Sequence, residues 1–271
     1  MSQQERWQLS GSGAASYERF QVPSVFEPLA RIFLDRVPLE PGSRLLDVAC
    51  GTGIVARLAA PMIGAAGRVV GVDLNADMIA IAEQQAPSDA AAIEWRQGDA
   101  ASLPFGDGEF DLVLCQQGLQ FIPDKEQALD EMHRVLAPGG RLGICVWRAI
   151  EHSPYMKASA DALVPHVGAK SASRLHAPFA LGDAEMLRGL IAGAGFAEIT
   201  FHEVDITRRM LPPEEAIPGH LASTPVGADF EALDDAARAA VIADITVAVA
   251  PYRVPEGLAI PQGAYIVLAV R

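Results

Sequence analysis

From residue 44 to residue 148 short apolar runs alternate with segments whose apolar residues recur at helical spacing, the pattern of successive βαβ units. "RLLDVA" (44–49) predicts a buried first strand, and "GIVARLAAPMIG" predicts the helix that follows it. "RVVGVD" (68–73) predicts a second strand, followed by a helix from about Asn75 to Gln85 with Asn75 as its cap. "AAIEWRQGD" (91–99) and "FDLVLCQ" (110–116) predict the third and fourth strands. "DKEQALDEMHRVL" (124–136) keeps helical spacing and is expected to stop at "APGG", and "GRLGICVWR" (140–148) predicts the fifth strand. Five strands joined by crossover helices imply a doubly wound α/β sheet.

Beyond residue 148 the pattern changes. Residues 149–180 show no strand alternation, "DAEMLRGLIAGAGF" (183–196) predicts a helix closed by Gly195, and "AEITFHEVDI" (197–206) alternates as a half-exposed strand. A helical stretch rich in Ala and acids follows from about Pro213 to Ala250, and "GAYIVLAV" (263–270) predicts a last strand. The interrupting segments, 149–180 and 207–260, are expected to cap the carboxyl edge of the sheet, where open α/β sheets bind their ligands. The sequence contains no internal repeat and no low-complexity tract.

At 271 residues and half apolar, the chain can bury a sizeable core. Its 34 acidic residues against 21 basic ones give a formal charge of −13, a surface that repels a polyanion, so nucleic acid is not expected as a partner. "MSQQERWQLS" lacks the apolar segment of a signal peptide, and no apolar run reaches the roughly 20 residues of a membrane span, so a cytoplasmic protein is expected. Cys50, Cys115 and Cys145 are odd in number and have no CxxC or His-spaced partner, which points to small buried thiols rather than a metal or redox centre.

The candidate chemistry lies at the strand ends. In "LLDVACGTG" a buried run carries Asp47 and is followed at once by Gly51 and Gly53, which let the backbone turn sharply and approach a ligand. Asp73 closes the second strand and Asp99 the third. Three carboxylates at neighbouring strand mouths suit a ligand that presents an ammonium, a pair of hydroxyls and an exocyclic amine.

"LLDVACGTGIVARLAA", "VVGVDLNADMIAIAEQ", "GDAASLPFGDGEFDLVLCQQGLQFIPD" and "EMHRVLAPGGRL" occur in the order and at the spacing of the motifs of class I S-adenosylmethionine-dependent methyltransferases. Residues 40–148 resemble that family strongly, above all the ubiquinone and menaquinone C-methyltransferase-like group acting on small molecules. The resemblance implies a mostly parallel, seven-stranded, Rossmann-like methyltransferase fold. It divides the chain into an N-terminal helical lid (1–40), an S-adenosyl-L-methionine-binding core (41–148), and the second half of the sheet with its inserted cap (149–271). It further implies that Asp47, Gly51 and Gly53, with backbone around Ala49, hold the methionine moiety. Asp73 would bind both ribose hydroxyls, Leu74 would flank the adenine, and Met78 would pack near the adenosine. Asp99 would accept from the adenine amine with the Ala100 amide donating, Gln116 would lie under the sulfonium, and Tyr17 would close over the methionine end.

Two other readings keep part of this pattern: a sensor or non-catalytic partner subunit that binds the same cofactor, and a nicotinamide-dependent oxidoreductase. Against the second, "GTGIVA" puts Ala56 at the third glycine of the dinucleotide fingerprint, and Asp47 would repel a pyrophosphate. The Asn/Asp-Pro-Pro-aromatic run of amino-methylating DNA enzymes is replaced by "QQGLQF", and no acidic cluster suits magnesium. The acceptor is therefore expected to be a small, apolar or aromatic molecule, with no metal, no nucleic acid and no membrane span; a homodimer is permitted. Among the cap residues His152, Tyr155, His166, His176 and His220, the first choice for a general base is His152, which follows strand five, although an already ionised acceptor would need none.

Overall fold

The computed structural model describes residues 12–85, 92–222 and 224–271. The opening "MSQQERWQLS" and the first residue of the expected third strand lie outside the described residues. Three helical pieces come first: α1 (Ser12–Ser16), a π-helix (Tyr17–Phe26) with Pro23 inside it, and α2 (Glu27–Leu34). The alternating unit follows as β1 (Arg44–Val48), α3 (Ile54–Ile63), β2 (Arg68–Asp73), α4 (Ala76–Gln84), β3 (Ile93–Gln97), β4 (Phe110–Gln116), α5 (Lys125–Val135) and β5 (Leu136–Trp147). Asn75 caps α4 by accepting from the Asp77 amide at 2.9 Å. The rest of the chain forms α6 (Pro154–Val167), α7 (Ala169–Ala172), α8 (Ala184–Gly193), β6 (Ala197–Met210), α9 (Pro213–Ala222), α10 (Gly227–Glu231), α11 (Asp235–Ala248), β7 (Arg253–Val254) and β8 (Gly257–Val270).

The strands form one sheet in the order β3-β2-β1-β4-β5-β8-β6, with the two-residue β7 paired to β8. Seven strands therefore lie on the main path. The β1–β2, β1–β4, β2–β3 and β4–β5 pairs are parallel, so the strand order reverses beside β1, where doubly wound sheets open a crevice at their carboxyl ends. The inner strands are almost wholly apolar and buried, for example Leu45, Leu46, Val69, Val70, Val113 and Leu114, as a sheet covered on both faces requires.

The chain divides into two compact units: residues 1–146, 184–204 and 265–271 make one, and residues 147–183 and 205–264 the other. The first holds the alternating core. In the second, residues 149–180, where the sequence showed no strand alternation, are largely helical: α6 begins with Pro154 at its first position, where a missing N–H is harmless, and keeps Pro165 near its end. The expected stop at "APGG" is also different. Helix α5 ends at Val135, and Ala137 to Gly140 already belong to β5, with Gly139 at φ 77° and the Gly139 and Gly140 backbone exchanging hydrogen bonds with Arg271. Among the described residues no helix is long and apolar enough to cross a membrane.

Candidate active site

Strand β1 delivers Asp47 to the reversal point of the sheet, level with Gly71 of β2 and Leu114 of β4. Its side chain is 1% exposed. One carboxyl oxygen accepts the Ala56 amide at 3.1 Å, so the acid sits on the first turn of α3 and occupies the donor that a pyrophosphate would need. This contact weighs against the dinucleotide alternative. Burial pushes the Asp47 carboxyl up to about 8 despite the Ala56 amide, and the charge of Asp73 adds to the rise. With an unfolded-state value near 4, the folded protein holds the extra proton between about pH 4 and pH 8. The favourable contribution is thus complete below pH 4 and is lost as pH rises through 8. Asp47→Asn is expected to raise the thermal midpoint relative to the parent by an amount that grows from pH 5 to pH 8; a pH-independent difference would contradict this electrostatics.

The loop after β1 passes through three left-handed residues: Ala49 (φ 54°), Gly51 (56°) and Gly53 (85°). The Gly51 amide donates to Asp73 at 2.8 Å, and the other Asp73 oxygen accepts the Asn75 amide at 2.8 Å. Asp73 therefore ties the glycine loop to the start of α4 and leaves a second lone pair on each oxygen for a ligand. Burial raises its carboxyl too, opposed by these two amides. A Cβ on Gly53 would come within 2.1 Å of the Trp95 ring. The bare Gly53 backbone is thus needed to seat that indole as well as to turn the loop.

The N-terminal π-helix lies over this loop. The Tyr17 ring and hydroxyl sit 3.9 Å from where a Gly51 Cβ would stand, and the ring stacks on Phe26 with centroids 5.0 Å apart. Burial, together with the charges of Asp73, Glu18 and Asp47, holds the Tyr17 phenol well above its ordinary value, so it is a protonated wall of the site and not a base. The segment is fastened by Glu18 to Arg57 of α3 at 2.8 Å and by Gln116 Nε2 donating to the Phe26 carbonyl at 3.1 Å. Tyr17, Asp47, Ala49, Gly51, Gly53, Asp73 and Gln116 are thereby brought to one place.

The remaining expected residues are arranged around β2 and β3. Leu74 is exposed and its carbonyl accepts from Gln97 at 3.1 Å; Met78 is buried in α4. Asp99 stands exposed two residues past β3 and caps its own turn, accepting the Ala101 amide at 2.9 Å, while Ala100 is buried. His152 is exposed in a short 3-10 turn of the second unit, whereas Tyr155 is 2% exposed and packs edge-on against His220 at 4.9 Å. The three cysteines are free and buried, and burial raises each thiol, that of Cys115 to about 12, so they stay protonated. What the sequence reading missed is the rest of "QQGLQF": Gln117 and Gln120 are buried beside Gln116, and Gln120 donates to Gln117 at 2.7 Å. Three glutamines straight after a buried strand were the available signal.

Comparison with known proteins bears on the same region. Residues 46–144 match the family described as "Methyltransferase domain". The core of this chain resembles a methyltransferase domain. It is 44% identical over 108 residues to a 2-phytyl-1,4-naphtoquinone methyltransferase of Synechocystis, covering 39% of this chain and 45% of that protein. It is 41% identical over 107 residues to the chloroplastic 2-phytyl-1,4-beta-naphthoquinone methyltransferase of Arabidopsis thaliana, covering 38% and 41%. The match thus spans less than half the length of either relative. Among solved structures, phosphoethanolamine N-methyltransferase 2 of Haemonchus contortus superimposes with a TM-score of 0.63 at 20% identity, over all of this chain and 60% of that one. The [4+2]-cyclase SpnF superimposes with a TM-score of 0.53 at 26% identity, over 90% and 80%. The core therefore has the Rossmann-like methyltransferase fold that the sheet order implies.

Proposed function

We propose that this protein is an S-adenosyl-L-methionine-dependent methyltransferase acting on a small, apolar or aromatic, quinone-like molecule. The observation that carries the reading is the buried Asp47 at the glycine loop of a methyltransferase domain, beside Asp73 and under Tyr17. The donor set suits this cofactor: Asp47 suits an ammonium, whose charge would favour the ionised carboxylate and so lower its raised pKa on binding, the free lone pairs of Asp73 suit two ribose hydroxyls, and Asp99 with the Ala100 amide suits the adenine edge. Gln116 Oε1 is buried without a hydrogen-bond partner and offers an acceptor on the same side. When bound, S-adenosylmethionine supplies an electrophilic methyl group. The chain's own part is to align the two reactants, since orientation alone contributes roughly 7–11 kcal/mol, and to keep water out with Tyr17 and Phe26.

The fold also belongs to a protein named a cyclase, so the reaction needs its own test. Incubation with methyl-labelled S-adenosylmethionine and a panel of quinols, phenols and amines is expected to label at least one oxygenated aromatic. Tight cofactor binding with no transfer across the panel would instead support the sensor reading. Tighter binding of NAD than of S-adenosylmethionine would refute the assignment. Because His152 is exposed, with no acidic partner to orient it among the hydrogen bonds described, His152→Ala is expected to cost less than about tenfold in turnover, with a pH profile that follows the acceptor's own pKa. A loss of 10² or more with unchanged cofactor affinity would make it the base.

A further inference from the structure

Asp47 stands where no described residue balances its charge. The carboxyl is 1% exposed, and among the described residues it accepts one hydrogen bond, from the Ala56 amide. The groups that face it from the surrounding elements are Asp73 at the end of β2, the Cys50 thiol of the glycine loop, the Cys115 thiol of β4 and the Tyr17 phenol of the π-helix. Each of these is an acid. The only charged residue of α3, Arg57, is held by Glu18 at 2.8 Å, and no cation acts on Asp47 among the described residues.

A carboxylate taken out of water without a counter-ion is so costly that the group takes up a proton instead. The first turn of α3 offsets part of that cost through one amide and the helix dipole. Asp73 is better supplied: it is less buried and accepts two amides, from Gly51 and Asn75, both at 2.8 Å. Two carboxyls that feel each other's charge do not ionise together readily. Of this pair Asp73 keeps the charge and Asp47 takes the proton, its carboxyl being pushed up to about 8.

We infer that uptake of an ammonium-bearing ligand at this site is a proton exchange: Asp47 holds a proton in the free protein and gives it up to solvent when the ammonium arrives. One proton leaves the carboxyl for each cation that enters, so the net charge buried at Asp47 is unchanged. Affinity for such a ligand therefore rises about tenfold per pH unit while the free carboxyl is protonated, and levels off above about pH 8. A ligand without the ammonium displaces nothing and shows no such rise. The inference rests on the S-adenosylmethionine reading and adds a regulation to it: cofactor loading falls as the medium becomes acid.

The test uses the full chain and two ligands that share an adenosine: S-adenosylhomocysteine, which carries the ammonium, and 5′-methylthioadenosine, which does not. Binding of S-adenosylhomocysteine at pH 8 is measured first; failure at that step refutes the cofactor reading separately. Calorimetry at pH 6.5 in PIPES and in Bis-Tris, buffers of different ionisation enthalpy, then counts the protons. The expected result is release of close to one proton with S-adenosylhomocysteine and none with 5′-methylthioadenosine. Between pH 6 and pH 7 the first ligand should tighten about tenfold and the second less than about twofold. Because both carry the ribose, any contribution of Asp73 cancels. In Asp47→Asn the release is expected to vanish. The proton count for S-adenosylhomocysteine on the unaltered protein decides the matter if the shorter ligand or the variant binds too weakly to measure. No release at pH 6.5, equal release with both ligands, or a release unchanged in Asp47→Asn would each overturn the inference.

Discussion

Gly53→Ala is expected to lower the free energy of unfolding by about 2–5 kcal/mol, the largest stability effect of any single methyl group added near the site. Two costs combine. At φ 85° a Cβ brings backbone strain of roughly 1–2 kcal/mol. The new methyl would also stand 2.1 Å from the Trp95 ring, an overlap of the kind that costs about 1–3 kcal/mol. The indole has little room to retreat, because its other edge rests on Gly71, where a Cβ would be 2.3 Å away. Gly42→Ala separates the two costs: Gly42 has φ 86° but nothing within 4 Å of its Cβ position, so it should lose the strain part alone. Urea unfolding of both variants gives the comparison. Equal losses would show that Trp95 is not held by the glycine floor.

The second large effect is expected in binding. Asp73→Ala should weaken S-adenosylhomocysteine by about 2–4 kcal/mol, roughly 30- to 1000-fold, since hydrogen bonds to a charged group contribute about 1.5–3 kcal/mol each. The variant loses more than ribose contacts, because the Gly51 and Asn75 amides that Asp73 holds at 2.8 Å are released together. Asp99→Ala should cost less, as Asp99 is exposed and caps only its own turn. Calorimetry on the three proteins ranks them, with circular dichroism to confirm that each is folded. An affinity of Asp73→Ala within threefold of the parent would remove Asp73 from the ribose.

These effects rest on residues that the sequence displayed unevenly. Asp47, Asp73 and the glycines were legible because strand periodicity and the residues that break it are local properties. The Asn75 cap was legible for the same reason. Tyr17 could be placed only by resemblance: it reaches Gly51 through a π-helix containing Pro23, which follows no regular apolar period. The start of β5 was hidden because Pro138 and Gly139 ordinarily stop a helix, and here Gly139 and Gly140 pair with Arg271, more than 130 residues away. The helices of residues 149–180 were masked by prolines that in fact begin α6 or lie near its end. The amide cluster of Gln116, Gln117 and Gln120 showed in the sequence only as closely spaced glutamines; the contact of Gln116 to Phe26, 90 residues distant, is not a local property.

The order β5-β8-β6 has a consequence for how the chain reaches its native state. β6 (197–210) emerges from the ribosome some fifty residues before β8 (257–270), yet β8 is the strand that lies between it and β5. During synthesis the strands up to β5 can assemble as each appears, because their neighbours precede them or follow closely. β6 has no place on the sheet until β8 inserts. That last insertion closes contacts of long sequence separation, which form slowly because the loop entropy is lost before the contacts are gained. In the interval β5 and β6 both present open edges, and pairing between nascent copies is the hazard this topology carries.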